Sequence, residues 1–313
     1  MSNSAGNKLR LPVLTGPTGA GKTALAYRLM DSLPNIELIS ADSRQIYKQM
    51  AIGTDKPTAE ERAKYSMHLV DCVEPGDRYT AYDFVSDARR LIADILIRGK
   101  YPLICGGTGL YLKSLIEGIV ELPEDDLHIR TELEELAVTR GPKFLYEQLE
   151  EIDPLEARKT HPNNIKRIIR ALEIYRVTGK SKSEVLAEPL SETPPYDFEV
   201  LCYMPPREIL YERINTRVDR MMETGLEQEA RQLAAQGLKD MVEKVNVIGY
   251  HELFSHFDGE IPRETAVNLI KQNTRRFAKR QITWFKGMPY IAYFADSDTI
   301  LNRLKTLYAS INI

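Results

Sequence analysis

The chain has 313 residues, of which 43% are hydrophobic and 28% charged, and its formal net charge is −3. This length favours about two domains, and the composition is that of an ordinary globular protein. No run of about 18 apolar residues exists, which argues against a transmembrane helix and predicts no contact with a membrane.

The chain carries no obvious targeting or metal-binding pattern. Residues 1–8 are small and polar, so a secretory signal peptide is not expected. The three cysteines, Cys72, Cys105 and Cys202, lie far apart and form no C-x-x-C pair. This usage favours the reducing cytoplasm and argues against a structural zinc site.

The N-terminal part alternates between short apolar runs and helical patterns. The apolar runs predict buried parallel strands at residues 11–15, 36–40 and 102–105, and helices are expected at 22–33, 81–98 and 109–117. Such alternation predicts an α/β fold with a doubly wound parallel sheet, of the P-loop NTPase-like kind. Ligands bind such sheets beyond the carboxyl ends of the strands.

The first predicted strand leads into a phosphate-binding loop. Residues 16–23 match G-x-x-x-x-G-K-[ST]: Gly16, Pro17, Thr18, Gly19, Ala20, Gly21, Lys22 and Thr23. The glycines let backbone N–H groups turn toward phosphate oxygens, and the following helix N-terminus adds a favourable dipole. Lys22 can neutralise phosphate charge, and the Thr23 hydroxyl can bind Mg²⁺. The motif predicts a phosphate site but does not say whose phosphates it holds.

Polar residues follow the other two strands as well. Asp42 can bind Mg²⁺ or act as a general base, and we favour such a role over the alternative of a helix N-cap. Thr108, within a run of glycines, places a hydroxyl at the third strand end, although a simple strand–helix turn explains this run nearly as well. The three strand ends are expected to converge on one cleft.

The composition changes after residue 122. Residues 123–195 look wholly helical, with natural N-caps at residues 125–126 and 163–164 and a helix stop at Gly179. Residues 191–195 resemble a linker, and a strand returns at 198–204. We therefore predict a catalytic core of residues 1–122 and 196–313 that is interrupted by a helical insertion domain. The rest is expected to be helical, at 207–224, 226–236 and 265–285.

Positive charge is concentrated in two segments, residues 166–182 and 271–286. Such segments suit a polyanion, although a solvated basic helix is the plainer interpretation of each. In the second, Ile270, Phe277 and Trp284 are expected to form an apolar stripe. A third set, Arg213, Arg217 and Arg220, shares one helix face and either is solvated or stabilises a leaving pyrophosphate.

The chain lacks the apolar strand ending in Asp-Glu with which ATPases hold Mg²⁺ and activate water. The loop is therefore expected to hold a substrate's diphosphate without any γ-phosphate chemistry.

Together these motifs resemble those of the bacterial tRNA dimethylallyltransferases, or isopentenyl-diphosphate:tRNA transferases, over nearly the whole chain. The resemblance is carried by residues 16–23, 42–47, 52–54 with 56–58, 106–111, 167–173, 217–219, 248–250, and 274–275 with 278–281. Two departures are minor: Met67 stands where the family commonly has a histidine, and Asp55 replaces a small residue.

The resemblance implies transfer of a dimethylallyl group from dimethylallyl diphosphate to N6 of the adenine 3′-adjacent to the anticodon. The tRNAs concerned read codons that begin with U, and the products are N6-isopentenyladenosine and diphosphate. Asp42 would be the base, and Thr108 would contact the bridging oxygen. Lys22, Arg217 and Mg²⁺ near Thr23 would stabilise the departing diphosphate. The protein is expected to be a cytoplasmic monomer.

The same resemblance implies an extended contact with the anticodon stem-loop, with the helical insertion closing over it. The expected tRNA-binding residues are Asp42, Ser43, Arg44, Gln45, Thr108, Arg130, Lys166, Arg167, Ile168, Ile169, Arg170, Asn246, Gly249, Tyr250, Arg275, Arg276, Lys279 and Arg280. The target adenine would be flipped out of its loop into the cleft.

Three other functions remain open from the sequence. An adenylate isopentenyltransferase acting on free AMP, ADP or ATP has a similar core but no need of the insertion or the basic C-terminal helix. A P-loop small-molecule kinase shares only residues 16–23. A non-enzymatic RNA-binding P-loop protein is the third.

Overall fold

The computed structural model describes residues 8–188 and 196–311. The predicted linker at 191–195 and nearly all of the N-terminal segment 1–8 lie outside these residues. The chain divides into two compact units, one formed by residues 1–117 and 194–313 and the other by residues 118–193. The predicted boundary at residue 123 falls just inside the second unit.

The first unit is built on a parallel sheet. Among the described residues its strands are β1 (Arg10–Thr15), β2 (Ile36–Ser40), β3 (Met67–His68), β4 (Tyr101–Gly106), β5 (Asp197–Tyr203) and β6 (Ile291–Phe294). They are ordered β3-β2-β4-β1-β5-β6, and every neighbouring pair is parallel. This confirms the predicted α/β P-loop-like fold. The expectation that the chain after β5 is only helical is wrong at β6, a short edge strand whose side chains are mostly not buried.

The helices before the second unit are α1 (Lys22–Ser32), α2 (Ala59–Lys64), α3 (Ala81–Ile97) and α4 (Gly109–Glu117). The second unit contains α5 (Leu127–Arg140), α6 (Pro142–Ile152), α7 (Pro154–Lys159), α8 (Ile165–Thr178) and α9 (Lys182–Leu186). The chain continues with α10 (Arg207–Glu223), α11 (Leu226–Ala235), α12 (Lys239–Val245), α13 (Tyr250–Phe257), α14 (Arg263–Lys286) and α15 (Ser297–Ser310). Within the described ranges, no helix is long and apolar enough to span a membrane.

Two apolar clusters hold the first unit together. One joins β1, β4 and β5 to α1, α10 and α15, with Leu14, Leu29 and Leu201 in its interior. The other lies under the segment after β2 and joins it to α10, α11, α13 and α14. Burial of these apolar faces fixes the strand ends and α10 and α14 relative to each other.

The second unit has a core of its own, made by α5, α6, α7 and α8. Asp126 caps α5 by accepting the backbone N–H groups of His128 and Ile129, and Asn164 caps α8 by accepting that of Arg167. Gly179, at φ 71, ends α8 in the left-handed conformation. These caps and this stop confirm the predicted helix boundaries.

Candidate active site

The loop of residues 16–23 connects β1 to α1, as predicted. Glycine is required at two of its positions: a Cβ on Gly16 would lie 2.3 Å from the carbonyl oxygen of Tyr203, and one on Gly19 would lie 2.7 Å from Ile214 Cγ1. The helix α1 begins at Lys22 without a side-chain cap. Its first-turn N–H groups are therefore available to an anion.

Lys22 lies over this loop. Its ammonium donates hydrogen bonds to the carbonyl oxygens of Gly16 (2.9 Å) and Pro17 (3.0 Å). Burial lowers the pKa of the Lys22 ammonium, while the nearby Asp42 carboxylate opposes that effect.

Asp42 directly follows β2 and organises a turn, not a helix. Its Oδ1 accepts the backbone N–H groups of Arg44 (2.8 Å) and Gln45 (3.1 Å), and no helix begins there. The helix N-cap interpretation is therefore wrong. Within the described residues the other oxygen, Oδ2, has no hydrogen-bond partner, so half of the carboxylate is available to a ligand.

Thr108 lies beside this turn. Its hydroxyl oxygen accepts the backbone N–H of Ser43 at 3.0 Å, and its own N–H donates to the carbonyl oxygen of Ala41 at 3.1 Å. A Cβ on Gly106 would lie 2.1 Å from that same Ala41 oxygen, so only glycine permits this approach. Because β4 is adjacent to both β1 and β2, residues 106–108 lie between the phosphate loop and the Asp42 turn.

Gln281 of α14 completes the phosphate loop. Its Oε1 accepts the backbone N–H of Thr18 at 2.7 Å, and its Nε2 donates to the carbonyl oxygen of Gly107 at 2.8 Å. The side chain is buried. Sequence reasoning placed this residue in a family motif but gave it no role. The available signal was its spacing on α14, where it shares a buried face with Ile270, Thr274, Ala278 and Phe285.

The arginines of α10 face the same loop. Arg213 donates to the carbonyl oxygen of Ala20 at 2.7 Å, and Arg217 donates through Nη2 to Thr18 Oγ1 at 2.9 Å. Arg217, at 19% exposure, is therefore not part of a solvated face, whereas Arg213 and Arg220 are exposed. Arg217 Nε is buried without a partner among the described residues, which leaves a donor unused beside the phosphate loop.

A Mg²⁺ ion would rely on few protein ligands. The described residues contain no group of three or more His, Cys, Asp or Glu side chains that could hold a metal ion. The exposed Thr23 hydroxyl lies in the first turn of α1. This donor set suits Mg²⁺, which commonly keeps several waters and binds through substrate phosphates and one or two protein oxygens.

Two residues near α13 that were predicted to bind tRNA are buried in this structure. Tyr250 is 0% exposed, its ring packs on Gly53, and its hydroxyl donates to Glu229 Oε1 at 2.6 Å. Gly249 is also buried, and its N–H donates to Glu252. Asn246 is exposed, in the left-handed conformation that ends α12.

The predicted tRNA-binding residues of the second unit differ in their exposure and in their ion pairs. Ile168 and Ile169 lie in the core of the second unit, at 0% and 3% exposure. Arg170 pairs with Asp125 and with the buried Glu173, both at 2.9 Å, and Arg130 pairs with Asp125 at 2.9 Å. These two arginines compensate buried or half-buried carboxylates and are largely neutralised.

The free positive charge lies elsewhere. In the second unit Lys166 and Arg167 are exposed at the start of α8. On α14 the exposed cations without an acidic partner include Arg276, Lys279, Arg280 and Lys286. Arg263 is exposed but pairs with Glu227, and Arg275 is half-buried and donates to Asn215. The predicted stripe of Ile270, Phe277 and Trp284 lies on α14, but of its three members only Ile270 is buried. Phe277 and Trp284 stay partly exposed, and the Arg280 guanidinium lies 5.6 Å from the Phe277 ring centre.

A parallel sheet with this loop after β1 and a half-free carboxylate after β2 defines the chain as a P-loop-like α/β protein. The sequence model of one family, IPP transferase, matches residues 45–288. The chain belongs to this family. This match begins after the phosphate loop. The similarity to a solved full-length structure, described next, covers 97% of the chain and includes the loop.

Two relatives and two solved structures extend the comparison. The chain is 44% identical to tRNA dimethylallyltransferase 1 of Syntrophotalea carbinolica, over 94% of both chains. It is also 44% identical to tRNA dimethylallyltransferase of Anoxybacillus flavithermus, over 94% of this chain and 93% of the relative. A full-length tRNA isopentenylpyrophosphate transferase from Bacillus halodurans matches with a TM-score of 0.69 and 38% identity, over 97% and 96% of the two chains. A eukaryotic dimethylallyltransferase acting on tRNA matches with a TM-score of 0.75 and 32% identity, over 91% of this chain and 74% of that chain.

Proposed function

We propose that this protein transfers a dimethylallyl group from dimethylallyl diphosphate to N6 of the adenine 3′-adjacent to the anticodon. One observation carries the proposal: a cationic phosphate loop follows β1 and a half-free carboxylate follows β2, at the same edge of the sheet and with only β4 between the two strands. The names of the relatives supply the substrate class, tRNA, and the group transferred, dimethylallyl. The preference for tRNAs that read codons beginning with U is part of the same proposal.

The diphosphate end of the substrate binds at the N-terminus of α1. The backbone N–H groups of the loop, the Lys22 ammonium and the Arg217 guanidinium surround it. As the carbon–oxygen bond breaks, its electron pair leaves with the diphosphate, and this cationic site stabilises the growing negative charge. Lys22 exchanges its present carbonyl partners for phosphate oxygens.

Mg²⁺ fits the same site, with the Thr23 hydroxyl as its protein ligand. When bound, it supplies further positive charge to the diphosphate oxygens.

Asp42 acts on the acceptor. The lone pair of the adenine N6 forms the new carbon–nitrogen bond, and N6 must lose a proton as it does so. The free Oδ2 of Asp42 takes that proton, while Oδ1 remains bonded to the turn that orients the carboxylate. Thr108, held against this turn by Ser43, lies on the diphosphate side of the carboxylate and contacts the bridging oxygen.

The exposed cations bind the phosphates of the anticodon stem-loop. In the first unit these are Arg276, Lys279 and Arg280, and in the second Lys166 and Arg167. Such contacts position an RNA without specifying its sequence. The partly exposed Phe277 and Trp284 add aromatic surface to α14. A cytoplasmic location belongs to the proposal, and the three free cysteines suit a reducing compartment.

Radiolabelled dimethylallyl diphosphate tests the proposal with three acceptors: an anticodon stem-loop with adenine 3′ of the anticodon, the same stem-loop with guanine there, and free AMP. We expect label only in the adenine stem-loop, with one diphosphate released per transfer. Label in AMP alone would establish an adenylate isopentenyltransferase instead. No transfer to any acceptor, with the protein folded, would overturn the proposal.

A further inference from the structure

The segment of residues 51–56, the 51–56 loop, has no part in the mechanism above, yet one carboxylate holds its backbone rigidly. Glu229 accepts the backbone N–H groups of Ala51 (2.9 Å), Ile52 (2.9 Å) and Gly53 (3.0 Å). The buried Tyr250 hydroxyl donates to the same carboxylate. Three backbone bonds to one ionised group are strong, so the loop has little freedom to move.

This loop contacts both sides of the reaction centre. On the acceptor side, Gln45 donates through Nε2 to the carbonyl oxygens of Thr54 (3.2 Å) and Asp55 (2.9 Å). On the diphosphate side, the Asp55 carboxylate accepts from Arg217 Nη1 at 3.3 Å and from Arg220 Nη2 at 3.1 Å. Asp55 is the residue at which both sets of contacts meet.

Arg217 is consequently held at both ends of its guanidinium. Nη2 donates to Thr18 in the phosphate loop, Nη1 donates to Asp55, and Nε has no partner among the described residues. The side chain is 19% exposed, whereas Arg220 is 64% exposed. An exposed ion pair contributes little to stability, so the pairing of Asp55 with Arg220 does not explain the arrangement. A long side chain held at two points keeps one rotamer, which lowers the entropy lost when it binds an anion.

We propose that Asp55 is a positioning residue for the diphosphate: it holds Arg217 in the conformation that receives the leaving group. The inference rests on the proposed function, since it concerns the same site. Asp55 itself does not contact the reacting atoms. Its carboxylate gives Arg217 a second point of attachment, without which Thr18 alone would hold the guanidinium, and the 51–56 loop carries that carboxylate.

The backbone at Asp55 dictates the choice of variants. Its φ is 53, a left-handed conformation that aspartate, asparagine and glycine adopt with little strain but alanine does not. Asp55→Asn removes the charge and keeps an acceptor, and Asp55→Gly removes the whole side chain. Because neither variant strains the backbone of the loop, an effect of either variant is due to the loss of the carboxylate. Arg220→Gln is the matched control, because it removes the other partner of Asp55 and leaves the contact between Arg217 and Thr18.

We expect Asp55→Gly to lower kcat/KM for dimethylallyl diphosphate by about ten-fold and to weaken inhibition by pyrophosphate by a similar factor. Asp55→Asn should be intermediate, and KM for the stem-loop should stay within about two-fold in both. Arg220→Gln should change all these constants by less than about two-fold. Added to Arg217→Gln, the substitution Asp55→Gly should cost less than about two-fold more, because the two residues act as one unit.

Equal losses from Asp55→Gly with and without Arg217 would overturn the inference, as would a loss confined to KM for the stem-loop. Unchanged kinetics in Asp55→Gly would overturn it too. The wild-type assay separates these results from failure of the proposed function: transfer by the wild type upholds that function whatever the Asp55 variants do.

Discussion

The Gln281→Leu substitution tests whether α14 builds the phosphate loop. Leucine fills nearly the same volume but removes the acceptor for the Thr18 N–H and the donor to the Gly107 carbonyl, at 2.7 and 2.8 Å. The site is only 8% exposed, so water does not readily replace either bond. Two lost hydrogen bonds, with two backbone groups left unsatisfied, should lower the free energy of unfolding by about 2–4 kcal/mol.

Urea unfolding followed by circular dichroism measures this loss. Gln272→Leu is the matched control, since Gln272 lies exposed on the same helix and should change stability by less than about 0.5 kcal/mol. Pyrophosphate should stabilise the wild type and the control but stabilise Gln281→Leu much less, because its phosphate loop has lost a fixed amide. A loss below about 1 kcal/mol in Gln281→Leu, or undiminished stabilisation by pyrophosphate, would refute the reasoning.

Three further predictions follow from the same structure. Asp42→Asn should lower turnover by about 10²–10⁴-fold while stem-loop binding is kept. Asparagine can still accept the backbone N–H groups of the turn, but it cannot take the proton from N6. Single-turnover transfer near the wild-type rate would disprove the role of Asp42 as the base. Replacing Arg276, Lys279 and Arg280 with glutamine should reduce the slope of log K against log salt by about 0.7 per lost phosphate contact, and an unchanged slope would mean a merely solvated helix. Glu37 is buried against Arg98, Lys100 and His68, and Arg98 foremost holds its pKa far below the usual value. The ionised Glu37 therefore contributes its full stabilisation above the unfolded-state pKa near 4.5, and this contribution is lost as the pH falls below that value. Glu37→Gln should be less stable than the wild type at pH 7. Its free energy of unfolding, measured by urea titration, should also fall less steeply as the pH is lowered.

Local patterns predicted the parts of the site that depend on local chain geometry. The strands β1, β2, β4 and β5 are apolar runs, and the spacing of the glycines in residues 16–23 predicted the phosphate loop. Because parallel strands end at the same edge, the meeting of Asp42, Thr108 and Lys22 could also be inferred. The strand β6 escaped prediction because it is short and mostly not buried, so its sequence lacks an apolar run.

Contacts between residues far apart in the chain could not be predicted from the sequence. Nothing local relates Gln281 to Thr18, which it contacts across 263 residues, or Glu229 to the 51–56 loop. Arg170 looked like a free cation because its partner Asp125 is distant in sequence, although Glu173 is a local partner three residues further along α8. The resemblance to a family identified positions such as Ile168 and Tyr250 but could not say that their side chains point into a core.

The strand that carries the phosphate loop, β1, gains one of its two partners late in synthesis. One neighbour of β1 in the sheet is β4, but the other is β5, whose first residue, Asp197, pairs with Arg10. While the ribosome makes the helical second unit, one edge of β1 has no partner, and an open strand edge invites pairing with another chain. The second unit has a core of its own, with short-range helix contacts that form quickly. β1 therefore keeps an unpaired edge until β5 emerges, and the helical unit can fold during that delay.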